Sequence, residues 1–111
     1  MDIVFRNAKI KKLCTDSNVA ARKLGHVNAK RLRQRLDDLH AAETLHVMRT
    51  LPGRCHELEA DRAGQLSLDL KHPQRLIFEP LQNPAPSKTH GGLDWTKVTA
   101  VKILEITDTH G

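Results

Sequence analysis

Near its middle this chain changes hydrophobic period, and that change limits the possible folds more than any other feature. Before "LPGR" (51–54), Ala29, Leu32, Leu36 and Leu39 recur at three and four residues, which makes one helical stripe. Lys30, Arg31, Arg33 and Arg35 fill the other sides of that helix. After "LPGR" the period is two. In "QLSLDL" (65–70) Leu66, Leu68 and Leu70 point one way, with Ser67 and Asp69 the other. In "RLIFE" (75–79) Leu76 and Phe78 share a face and Ile77 takes the opposite one. Helices first and strands afterwards imply an α+β fold rather than alternating βαβ units.

The remaining segments fit that division. "DIVFR" (2–6) has strand character, with Ile3 and Phe5 on one face. In "NAKIKKLC" (7–14), Ile10, Leu13 and Cys14 have helical spacing. Asp16 or Ser17 can cap a second piece, "NVAARKL", which Gly25 stops. "RCHELEA" (54–60) reads as a strand, "DRAGQ" (61–65) and "KHPQ" (71–74) as turns, and "LDWTK" (93–97) as a short turn. "VTAVKILEIT" (98–107) is the last strand. Val101 and Ile103 face one side and Leu104 and Ile106 the other, the pattern of a central strand. The order β-α-α-β-β-β-β predicts an N-terminal strand and helices packed on one face of a twisted antiparallel sheet. The 111 residues suit one domain, with a proline-rich surface loop at 80–92.

Composition narrows the setting. Hydrophobic residues make up 39%, with no tyrosine, so Leu, Ile and Val must build the core. No apolar run has the roughly 20 residues of a membrane span, and "MDIVFRNAKIKK" lacks a signal-peptide core. A soluble, cytoplasmic protein with no membrane partner is expected. Cys14 and Cys55 make no disulfide framework and read as reduced, partly buried thiols. The net charge of +5 is one-sided: residues 1–42 hold ten Lys or Arg against four Asp or Glu. Such a field draws polyanions, nucleic acid above all.

No serine-hydrolase or phosphate-loop motif is present. Metal spacing is poor: His40 and His46 are six apart, and the neighbours Cys55 and His56 would face opposite sides of a strand. No metal and no cofactor is therefore expected. What remains is a polar set on the strands and turns: His56, Arg62, Lys71, Arg75, Asp108 and His110. An extended last strand would put Asp108 and His110 on one face.

The pieces His56-Glu57-Leu58, Asp61-Arg62-Ala63-Gly64, Leu66-Ser67-Leu68, Arg75-Leu76-Ile77-Phe78 and Asp108-Thr109-His110 occur in an order that resembles the HigB-type killer proteins. These are toxins of the RelE/ParE superfamily, from type II toxin–antitoxin systems. The basic helix "AKRLRQRLDDL" (29–39) fits the same pattern. The resemblance implies a metal-independent, ribosome-dependent mRNA endoribonuclease, in which the ribose 2′-hydroxyl attacks the adjacent phosphate. On it, His56 and His110 form the acid–base pair, their order left open, and Asp108 orients a histidine or helps accept the proton. Arg62 and Arg75 stabilise phosphoryl charge together with Lys71, and Lys30, Arg31, Arg33 and Arg35 hold ribosomal RNA. The implied partners are a HigA-like helix-turn-helix antitoxin, the ribosome with its mRNA, and operator DNA reached through the toxin–antitoxin complex. Thr109 stands where the family has tyrosine, and Glu59 where it often has lysine. Two alternatives within the superfamily are a gyrase-directed toxin without a nuclease site and a degenerate member that only binds antitoxin and DNA.

Overall fold

The computed structural model describes residues 1–109 of the chain. Strand β1 (Asp2–Phe5) leads into helix α1 (Ala8–Thr15), whose first turn is capped by the Asn7 side chain accepting the Ile10 N–H at 2.9 Å. Asp16 closes α1 and caps helix α2 (Ser17–Ala41), accepting from the N–H groups of Asn18 and Val19. Gly25 breaks α2 at φ 81, ψ 162, a conformation reserved for glycine. The expected stop is thus an interruption, and the basic amphipathic segment follows directly. At the far end of α2 the Met1 ammonium donates to the carbonyls of Leu39 and His40 at 3.0 and 2.7 Å, and to that of Ala42. A cation there satisfies orphan carbonyls at the negative end of the helix dipole.

Two turns of tighter helix (Leu45–Thr50) then lead to the strands: β2 (His56–Glu57), β3 (Leu66–Asp69), β4 (Arg75–Pro80) and β5 (Ala100–Thr107). The sheet order is β1-β5-β4-β3-β2. β5 pairs β1 in parallel and β4 antiparallel, so the sheet is mixed, with β5 inside it as its two apolar faces imply. The helices cover one face. Leu32 and Leu39 of α2 meet Leu66, Leu68, Leu76, Phe78, Val101 and Ile103 there, and none of the eight is more than 1% exposed. Trp95 joins this core, its indole N–H donating to Glu57 at 3.1 Å and the Arg49 guanidinium 3.8 Å above its ring.

Two strands differ from expectation. The strand read over 54–60 pairs only at His56–Glu57, because Arg54 (φ 50) and Ala60 (φ 56) take left-handed conformations on either side. In β5 the register shifts opposite Ile77 and Phe78: Phe78 pairs Ile103, Ile77 pairs Glu105 and Leu76 pairs Ile106. Leu104 is the extra residue of a β-bulge. Beyond it the alternation is inverted, so Ile106 packs on the core and Glu105 and Thr107 take the open face. The proline-rich segment is pinned by a Ser87–Leu93 bridge and by backbone bonds from Lys88 to Gly92 and from Asp94 to Pro86.

Gly53 sits at φ 111, and a Cβ there would fall 2.7 Å from the Arg35 Nε and 3.0 Å from a Leu68 methyl. Gly64 also has positive φ, but open space around it. Gly53→Ala is therefore expected to cost about 2–3 kcal/mol and Gly64→Ala about 1 kcal/mol. Chemical denaturation of both variants checks this, and equal losses would contradict the close approach of Arg35.

Burial pushes the thiols of Cys14 and Cys55 up from 9.0 to about 12. Between those values the unfolded chain has released protons that the folded chain retains. Stability from these groups is complete below pH 9.0 and declines as pH rises toward 12. Alkylation by iodoacetamide at pH about 8 should be far slower than for free cysteine, the thiolate being the nucleophile. A free-cysteine rate at either position refutes the burial.

Candidate active site on the open sheet face

Strand register places the polar residues of the open face in rows. One row runs His56, Ser67, Ile77, Glu105 from β2 to β5, and the next runs Asp69, Arg75, Thr107. Cross-strand neighbours in such rows have Cβ atoms about 5 Å apart, and diagonal ones about 7–8 Å.

Two carboxylates organise the cations on this face. Glu105 accepts from Arg62 at 3.1 Å, and Arg6 lies 3.7 Å from its other oxygen. Arg62, which the β2–β3 connection supplies, reaches past β3 and β4 to make that bond, and also donates to the Gln65 side chain at 3.0 Å. Asp69 is the second centre. Its carboxylate receives Arg54 at 3.0 Å and lies 3.5 Å from the Arg75 Nε, while its backbone carbonyl accepts from the Arg35 Nε at 2.9 Å. Arg75 is the most enclosed of these cations, its side chain 10% exposed. Arg62 and Arg75 thus sit on one face, one held from each row.

His56 approaches from the β2 edge. Its Nδ1 lies 2.8 Å from the Arg54 carbonyl oxygen. A carbonyl only accepts, so Nδ1 carries the proton and Nε2 is the basic nitrogen of the neutral ring. Arg54 is itself fixed by its positive φ and its bond to Asp69. Ser67, beside His56, is fully buried, and among the described residues its hydroxyl has no hydrogen-bond partner.

The expected site residues therefore fall into three groups. His56, Arg62 and Arg75 share the open face. Asp108 does not extend the last strand, which ends at Thr107 opposite Arg75; it follows that end, half-buried. His110 lies outside the described residues. Strands β2 and β5 are three strand spacings apart, about 14 Å between backbones. Of the expected RNA-binding set, Lys30, Arg31 and Arg33 are exposed, with Arg33 3.9 Å from Asp37. Lys71 is exposed in the β3–β4 turn, its N–H held by the Asn28 side chain at 2.7 Å. Arg35 is turned inward instead: half-buried, it braces Asp69 from behind.

Sequence reasoning missed the roles of Asp69, Glu105, Arg54 and Arg6. Asp69 had a signal, as a carboxylate on the polar side of its strand two residues from Ser67. Glu105 had none, because regular alternation assigns it to the same face as Val101 and Ile103. Among the described residues no group of three His, Cys, Asp or Glu side chains is placed to hold a metal. The face instead offers anchored guanidinium groups and an imidazole with a defined basic nitrogen. That combination suits an oxyanion that gains charge next to a group losing a proton.

The chain shares its architecture with the YoeB/ParE toxin from Agrobacterium tumefaciens, at a TM-score of 0.56 and 11% sequence identity, covering 97% of this chain and 98% of that one. The fold is thus that of the RelE/ParE-type toxins. No family model matches the chain, and no curated protein matches it.

A buried hydroxyl with no partner costs free energy that a methyl group does not. Ser67→Ala is expected to leave the protein as stable as before or to stabilise it by about 1 kcal/mol. Thermal melts decide it; a loss of 2 kcal/mol or more, about that of a broken buried bond, would mean that the hydroxyl is satisfied after all.

Proposed function

We propose that this chain is the toxin of a toxin–antitoxin pair and acts as a metal-independent, ribosome-dependent mRNA endoribonuclease. The observation that carries this reading is the placement of Arg62 and Arg75 on one open face, anchored by Glu105 and Asp69, with His56 beside them. The fold agrees with it.

In this mechanism the ribose 2′-hydroxyl attacks the adjacent phosphorus while its proton passes to the His56 Nε2. The bond to the 5′-oxygen breaks, leaving a cyclic phosphate and a free 5′-hydroxyl. Arg62 and Arg75 take up the negative charge that grows on the non-bridging oxygens. Guanidinium groups suit this task because their donors fork onto two oxygens and stay charged at any working pH. The proton for the leaving oxygen is assigned to His110, with Asp108 as its neighbour in sequence. Thr109 brings no aromatic ring to stack on a base, so base selection falls to the ribosome-bound message and its surroundings. Lys30, Arg31, Arg33 and Lys71 grip ribosomal RNA through phosphates without reading sequence. A HigA-like helix-turn-helix antitoxin is the expected partner, and operator DNA is reached through their complex.

The test is cleavage of a defined message by the purified protein with and without ribosomes, mapped by primer extension. Cleavage is expected only on the ribosome, with Arg62→Ala slower by about 10²–10³-fold and His56→Ala by about 10²–10⁴-fold. Intact transcripts together with double-strand breaks in DNA would replace the nuclease with a gyrase-directed toxin.

A further inference from the structure

Two residues in the middle of the open face are closed off from solvent. Ser67 and Ile77 are 0% exposed, although the register sets both on the side away from the helices. Arg62 lies across them. It starts in the β2–β3 connection and ends on Glu105 of β5 at 3.1 Å. Strands β3 and β5 are two spacings apart, about 10 Å, so the arginine crosses the row in which Ser67 and Ile77 stand. Gln65 holds the near side of its guanidinium at 3.0 Å and Glu105 the far side. The side chain is a strap with a fastening at each end.

Beneath the strap, the Ser67 hydroxyl has no hydrogen-bond partner among the described residues. An unpaired buried hydroxyl lowers stability, and its presence in a native fold calls for a reason. Its surroundings supply one. His56 is its cross-strand neighbour, with Cβ atoms about 5 Å apart, and the Arg62 guanidinium is tied down on the same row. The hydroxyl carries one donor, and an oxyanion that meets the guanidinium has acceptors left for it. The far fastening is the one suited to open. Glu105 has a second cation in Arg6, 3.7 Å from its other oxygen, so it stays paired when Arg62 leaves. The Arg62 and Glu105 side chains are also 32% and 34% exposed, and water weakens a pair of that kind.

We propose that Arg62 closes over Ser67 in the free protein, and that a phosphodiester drawing Arg62 off Glu105 uncovers the hydroxyl, which then donates to a non-bridging oxygen. Glu105 thereby stands in for the substrate anion until the substrate arrives. The identity of the ligand rests on the nuclease reading; the strap does not. Ser67 then has opposite effects in the two states, lowering stability in the free protein and raising affinity in the complex.

Two measurements test this. The first needs no RNA: Ser67→Cys is treated with iodoacetamide, and modification at position 67 is mapped by mass spectrometry. Adding Glu105→Ala or Arg62→Ala is expected to speed that reaction about fivefold. One change removes a negative charge and the other a positive charge, so acceleration by both reports cover rather than charge. An unchanged rate in either would overturn the inference. The second follows binding of a 2′-O-methyl RNA trinucleotide, which cannot be cleaved, to the isotope-labelled protein by two-dimensional NMR. Ser67→Ala is expected to bind about tenfold more weakly with no loss of melting temperature, and Glu105→Ala about fivefold more tightly. Full affinity in Ser67→Ala, weaker binding in Glu105→Ala, or no shifts at residues 62, 65 and 67 of the unaltered protein would each sink the proposal. An intact message on the ribosome, with those shifts and rates as expected, would remove the nuclease reading and leave the strap.

Discussion

The open face depends on one extra residue in β5. Without the bulge at Leu104, alternation from Val101 and Ile103 would carry Glu105 and Thr107 onto the core side, beneath the helices. A charged Glu105 in that layer, among side chains with no solvent access, would be strongly disfavoured. With the bulge, Ile106 fills the core position opposite Leu76, and Glu105 emerges where Arg62 and Arg6 reach it. The same shift sets Thr107 opposite Arg75. A local change in strand pairing thus decides which groups meet on the second face.

Asp69 does comparable work from the other side of the sheet. Its carbonyl and its carboxylate point to different structural layers: the first receives Arg35 of α2, the second Arg54 and Arg75. Gly53 allows the Arg35 side chain to pass, since any larger residue would occupy its path. The chain therefore ties the helical layer to the guanidinium cluster through a single residue. Exposed ion pairs contribute little stability by themselves. Here their value is positional, because they hold cations with several rotatable bonds in place before any anion arrives. On the proposed function, a phosphate entering this face would exchange one set of oxygens for another, and the arginines would not have to be gathered from solution.

Much of the architecture was legible from periodicity. The leucines of β3, the Leu76–Phe78 pair and the stripe from Leu32 to Leu39 all sit where a period of two or 3.6 puts them, since burial enforces that spacing. The site was less legible. His56, Arg62 and Arg75 were visible as polar residues on strands and turns, yet their meeting depends on register, and register is a relation between distant segments. Arg35 looked like its exposed neighbours on the helix, because sequence does not show that β3 presents a bare carbonyl to it. Glu105 was hidden for a sharper reason: a bulge inverts alternation without leaving a glycine or proline to mark it.

The basic excess of residues 1–42 looks in sequence like one field. In the fold it is divided. Lys9, Lys12 and Lys23 border an aliphatic groove that runs up to the back of Glu105, whereas Lys30, Arg31 and Arg33 stand on α2 beyond the break at Gly25. A glycine at φ 81, ψ 162 turns the helix axis, so cations seven residues apart on either side of it do not continue a single face. The two groups also differ in what surrounds them. The first has the aliphatic side chains of Ile10, Leu13, Val19, Leu104 and Ile106 between the charges. In the second, Lys30 and Arg33 border a separate hollow lined by Cys14, Ala20, Leu32 and Leu36, while Arg31 is exposed. Net charge alone does not show this division; it comes from the break at Gly25 and from the different hollows that the two groups border.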